Sequence, residues 1–142
     1  MTASTDGGTI ETIPLAMLTF VVGGLVLAHS WAVVAARDQA GTAAGAGVRA
    51  YVEATGPGAR RSAVDAALAT IDPARRAARR WEVAVSGAST RCGPATVRVT
   101  TEVPLMRLPW LGPAGAVTVT AARSEIVDPF RRGVSGLAVC GA

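Results

Sequence analysis

The residues able to do chemistry in this 142-residue chain are few and far apart. The single histidine, His29, sits in a stretch without charge, with no second metal ligand near it in sequence. Nucleophilic catalysis needs a base beside the nucleophile, and a zinc site needs three or four good ligands. With His29 inside an apolar segment, no Ser-His-Asp or Cys-His arrangement can be assembled outside it. His29, Cys92 and Cys140 cannot converge on a metal for the same reason. The ten carboxylates are scattered and include no pair suited to acid–base work. Gly41, Gly45 and Gly47 lie in helix-like sequence without the lysine that a phosphate-binding loop requires. The expectation is a protein that is not an enzyme, with no cofactor, no metal and no small-molecule substrate.

Two other residue types carry information. Cys92 and Cys140 are separated by a β-rich stretch, a spacing that fits neither a zinc knuckle nor a redox pair. If the domain that holds them lies outside the cytoplasm, they are expected to form a disulfide closing a long loop. The net charge of +4 is carried by arginine alone, because the chain has no lysine. A basic balance can signal nucleic acid or anionic lipid. No aromatic platform is interleaved with the arginines, which argues against nucleic acid. Arg75, Arg76, Arg79 and Arg80 form the densest basic patch. It reads either as a solvated face or as a surface for phospholipid headgroups or an acidic partner.

Several elements must carry these residues. Thr12–Ala36 contains no Asp, Glu, Lys or Arg. As a helix it would rise about 37 Å, enough to cross a hydrocarbon layer of roughly 30 Å with some tilt. It is too long for a secretory signal core, and no basic residue precedes it. His29 and Trp31 read as an interfacial polar–aromatic pair near its end. Gly24, Ala28, Ala32, Ala36, Ala40 and Ala44 recur every four residues, a stripe of small side chains of the kind that packs helices together in lipid. The basic residues near the segment, Arg37 and Arg49, both lie after it, which by charge places the C-terminal part in the cytoplasm. The cysteines point the other way, so the residues alone leave orientation open.

Beyond the apolar run the helical pattern continues to Thr55-Gly56-Pro57-Gly58. A second helix is expected from about Arg61 to Thr70, with Val64, Leu68 and Ile71 on one face. Asp72-Pro73 then caps a short helix that carries the arginine patch as two i,i+4 ridges. From Trp81 the period changes to two. Trp81, Val83 and Val85 share one face of a first strand. Val97, Val99, Thr101 and Val103 do so in a second, and Val117, Val119 and Ala121 in a third. A short fourth strand is expected over Val134–Cys140. The link between the second and third strands carries Leu105, Met106, Leu108, Trp110 and Leu111 and reads as a lid over the sheet or a segment dipping into the membrane interface. The whole is an α+β chain. It comprises a leader (1–11), a transmembrane helix (12–36), a helical region (37–80) and a three- to four-stranded antiparallel β domain (81–142).

Gly8-Thr9-Ile10-Glu11, continuing as Thr12-Ile13-Pro14-Leu15, resembles the start of the membrane helix in the TadE-like family. These are pilin-related proteins of tight-adherence (Flp-type) pilus and secretion systems. Ala35-Ala36-Arg37-Asp38 through Arg49-Ala50 is similar to the family's amphipathic continuation. Ala121-Ala122-Arg123 through Val127-Asp128-Pro129-Phe130-Arg131-Arg132 resembles its strand and exit. The resemblance runs over roughly residues 6–135. It implies a pilin-like fold, an extracytoplasmic C-terminal domain at the cell membrane, and a role as a minor pseudopilin or assembly component. Its partners would be the lipid bilayer, other pilus membrane proteins and further copies of itself. It also implies an assembly role for Glu11, neutralising a neighbouring subunit's processed amino group. Gly7 and Gly8 are the small residues near a processing site. Pilin processing puts the glutamate fifth in the mature chain. Here that requires cleavage after Asp6, cleavage after Gly7 makes it fourth, and no basic leader precedes either. Both departures count against processing, and the residues leave open whether the chain is cleaved or stays an uncleaved anchor.

Overall fold

The computed structural model describes residues 8–54, 56–105, 107–108, 112–113, 115–136 and 140. It is an α+β structure, with a long N-terminal apolar helix, short helices and a three-stranded antiparallel sheet. Helix α1 runs Gly8–Glu53, α2 Ala59–Ala69 and α3 Pro73–Ala78. Strands β1 (Trp81–Gly87), β2 (Pro94–Pro104) and β5 (Ala116–Ile126) make the sheet in the order β1-β2-β5. Between β2 and β5 lie the two-residue strands β3 (Arg107–Leu108) and β4 (Gly112–Pro113). The chain forms two compact units, Met1–Ala32 and Val33–Ala142.

In the first unit α1 is long and apolar enough to span a membrane, and none of its apolar window is buried. Two of its hydroxyls are satisfied within the helix. Thr19 Oγ1 donates to the Leu15 carbonyl and Ser30 Oγ to the Val26 carbonyl, each at 2.9 Å. Hydroxyls that bond back one turn leave no orphaned donor, the condition for sitting in a medium without water. His29 is half-buried and Trp31 exposed. Gly7 lies outside the described residues; Gly8 opens α1 and Glu11 falls in its first turns.

The second unit builds its core from small side chains. Ala40, Ala43, Ala44, Val48 and Tyr51 of α1 pack with Ala59, Ala63 and Ala67 of α2, Ile71, and the β2 residues Ala95, Val97 and Val99. β2 is the central strand, and its alternation appears as full burial at Ala95, Val97, Val99, Thr101 and Val103. Trp81, Val83 and Val85 are only half-buried, because β1 is an edge of the sheet. Ala side chains bury little area each, so this core gains stability from closeness rather than bulk. Gly47 is the tightest point. A Cβ there would lie 3.0 Å from the Ala63 carbonyl oxygen, 3.1 Å from Val97 Cγ1 and 3.2 Å from Ala67 Cβ.

That close approach corrects the expected face of α2. The side chains turned inward are Ala59, Ala63 and Ala67, with Ile71 beyond the helix end; Val64 and Leu68 are half-buried at the margins. Branched side chains at the centre would hold α2 away from Gly47. Two hydroxyls at the core are paired: Tyr51 Oη donates to the Gly87 carbonyl at 3.1 Å and Thr101 Oγ1 to the Arg80 carbonyl at 2.9 Å, whereas the buried Arg131 Nε has no partner among the described residues. The sheet has three strands. Of the stretch expected to form a fourth, Val134–Gly136 and Cys140 are not in strands, and residues 137–139 lie outside the described residues.

Within the link between β2 and β5, β3 pairs with β4. Pro104 faces Ala116, Arg107 faces Pro113 and Leu108 faces Gly112, with two residues between these pairs on each side. The β3–β4 pairs thus have the same register as the β2–β5 pairs. Leu105 N donates to the Gly115 carbonyl at 3.0 Å. Met106, Trp110 and Leu111 lie outside the described residues.

Candidate functional site

Three places gather the residues singled out by type and spacing. The first is the small-residue stripe of α1, which divides into two parts. Gly24 and Ala28 are exposed and Ala32 is half-buried. Ala36, Ala40 and Ala44 are 0% exposed, inside the second unit. The expectation of one continuous face for a partner helix is therefore corrected. Its later half is buried in the chain's own core, because four-residue spacing of small side chains suits a sheet and a second helix as well as it suits lipid-side packing.

The second is the arginine patch. Arg75 and Arg76 are in the last turn of α3, but the helix ends at Ala78. Arg79 is extended (φ −139°, ψ 150°), so the four arginines do not form two helical ridges. The cause is the adjoining strand. Trp81 begins β1, its indole N–H donates to the Arg75 carbonyl at 3.3 Å, and Thr101 holds the Arg80 carbonyl. The start of α3 behaves as the sequence suggests. The Asp72 carboxylate accepts from Ala74 N and Arg75 N at 2.9 and 3.1 Å, with Pro73 at the first helical position. Arg75 Nη1 donates to Gln39 Oε1 of α1 at 3.2 Å and Arg76 Nη1 to the Leu68 carbonyl at 3.2 Å.

Beside that junction a cleft of about 600 Å3 opens between residues 37–42 of α1 and Thr120–Arg123 of β5. Arg37, Asp38 and Arg123 line it. The Arg123 guanidinium lies across Gly41, its Nη2 3.9 Å from where a Cβ would be. Among the described residues the one ion pair is Arg49 with Glu125, at 3.9 Å and exposed, so neither cleft arginine is paired with Asp38. Sequence reading missed this cleft, since nothing in the spacing of residues 37 and 123 brings them together.

The third is the end of the second unit tied by sulfur. Cys92 and Cys140 form a disulfide, with Cα atoms 5.1 Å apart across 48 residues of sequence. Around it the C-terminal segment is laced to the β1–β2 link. Arg91 N donates to the Ser135 carbonyl, Cys92 N to the Val127 carbonyl, and Arg91 Nε to the Arg131 carbonyl. Next to this seam Asp128-Pro129-Phe130-Arg131 makes a turn. Phe130 N donates to Asp128 Oδ1 at 2.8 Å and Arg131 N to the Asp128 carbonyl at 3.2 Å. Proline at the second position and Asp at the first are what such a turn favours. Its third residue, Phe130, is 80% exposed, and Ile126 is 66% exposed.

Among the described residues no three His, Cys, Asp or Glu side chains are grouped. Comparison of the chain with protein-family models, with curated proteins and with solved structures gave no match.

Proposed function

We propose that this chain is a TadE-like minor pseudopilin, a non-enzymatic membrane-anchored assembly component of a tight-adherence-type pilus or secretion system. The observation that carries the proposal is the single helix α1, bare and apolar from Ile13 to Leu27 yet packed through Ala40, Ala44 and Val48 onto a three-stranded antiparallel sheet. A helix that is membrane-compatible at one end and a core element at the other is the arrangement a pilin-like subunit requires. In this reading the exposed Gly24 and Ala28 are the positions for a neighbouring helix, because small residues let backbones approach in lipid. Glu11 serves assembly and the domain faces outward. The disulfide supports that orientation, since such bonds persist in oxidising compartments.

Photocrosslinking in cells from residue 24 or 28 tests the role. Adducts with other single-span proteins of such a secretion system are the expected result; adducts with lipid alone count against it. A membrane-tethered binding module of the cell envelope is the second reading. It is favoured by Phe130, held outward on a hydrogen-bonded turn where an aromatic anchor could enter a partner's pocket. Crosslinks from residue 130 to an envelope protein outside any secretion system would favour it.

A further inference from the structure

We propose that the cleft between α1 and β5 is a seat for anionic phospholipid headgroups, with Arg37 and Arg123 as its phosphate-binding groups and Arg75 as an outlying third. The proposal rests on the reading that the apolar run of α1 lies in a bilayer. Arg37 is the first charged residue after that run, which is uncharged through Ala36. The second unit begins at Val33, so Arg37 follows the exposed apolar part of α1 by about a turn, and with a rise of only about 1.5 Å per residue its long side chain is within reach of headgroups. The fold brings two further arginines to the same turn of α1. Arg123 lies across Gly41, and Arg75 is bonded to Gln39. All three are exposed, and none is in an ion pair among the described residues.

The local chemistry suits a phosphodiester. Guanidinium groups bind phosphate oxygens with two parallel N–H donors. The cleft's own carboxylate, Asp38, makes no ion pair with either arginine. The Thr42 hydroxyl already donates to the Asp38 carbonyl, and the Thr120 hydroxyl is paired with Thr100 on the sheet face turned away from the helices. Among the described residues these are two unpaired cations beside one free carboxylate, and Glu125, two residues from Arg123 on the same face of β5, is engaged by Arg49, which leaves a positive site that an anion completes. A polybasic rim beside a membrane helix is drawn to anionic lipid, each arginine adding to the attraction. The exposed Glu82 and Glu102 lie on the sheet face turned away from the helices, and Asp72 is occupied at the start of α3.

The test uses the full chain in neutral detergent, titrated calorimetrically with short-chain phosphatidylglycerol, short-chain phosphatidylcholine and inorganic phosphate. Phosphatidylglycerol should bind at least about tenfold tighter than either of the others. Arg37→Gln with Arg123→Gln should weaken it by about 30-fold without moving the thermal midpoint. Asp38→Asn should strengthen it. Equal binding of the two lipids, or indifference to the double substitution, overturns the proposal. Phosphate binding as tightly as phosphatidylglycerol would make this a free-anion site and overturns it too. Recovery of the chain in the soluble fraction would overturn the anchoring reading and the headgroup seat together. A membrane-bound chain indifferent to lipid charge would sink the seat alone.

Discussion

The two halves of α1 have the same small-residue spacing and opposite surroundings. Gly24 and Ala28 are exposed, whereas Ala36, Ala40 and Ala44 are fully buried, Ala40 and Ala44 in the core shared with the sheet and second helix. Small residues every four positions specify closeness of approach and nothing about what approaches. The distinction comes from residues further along the chain. Gly47 admits the Ala63 carbonyl and Val97 to contact, and β2 supplies the alternating surface of Ala95, Val97 and Val99. The first half has no such complement within its own unit and presents Leu, Val, Met and Phe side chains outward.

That contrast can be broken at graded cost. Removing the disulfide with Cys92→Ser and Cys140→Ser should cost the second unit about 4 kcal/mol, the loop-closure entropy for 48 residues of separation. Urea unfolding followed by tryptophan fluorescence would measure it, and a loss below about 1 kcal/mol would mean that the Arg91 lacing alone holds the seam. Gly47→Val should cost about 2–3 kcal/mol, because the Cβ and its methyls press on the Ala63 carbonyl, Val97 and Ala67 in a fully buried position. Asp72→Ala should cost about 1 kcal/mol by leaving two amides of α3 without their acceptor. Ala28→Leu should change unfolding by no more than about 0.5 kcal/mol, since that position is exposed. It should nevertheless reduce crosslinks from residue 24. If Ala28→Leu destabilises the fold as much as Gly47→Val, the two halves of the helix are not different in kind.

Much of this was legible in the residues because period and punctuation are local. The three strands, their inward faces and the Asp72-Pro73 start of α3 arise from alternation and capping chemistry. The inward face of α2 was not legible. Hydrophobicity favours Val64 and Leu68, but the neighbouring Gly47 sets a distance that only Ala63 and Ala67 satisfy. The arginine ridges failed for a related reason: a hydrogen bond from Trp81, six residues on, helps end the helix early. The cleft needed tertiary contact between residues 37 and 123, which no single-sequence pattern encodes. The turn that displays Phe130 was present in the Asp-Pro-Phe-Arg sequence, but its exposure became visible only once the seam behind it was in place.

The central claim is that an anchored domain lies on the outer side of the membrane, and a topology reporter fused after Ala142 tests it most directly. Alkaline phosphatase at that position should be active and a cytoplasm-dependent fluorescent protein dark, placing Cys92–Cys140 where a disulfide persists. A fluorescent fusion with inactive phosphatase would contradict the account. It would put the domain where the charge count of Arg37 and Arg49 alone would place it.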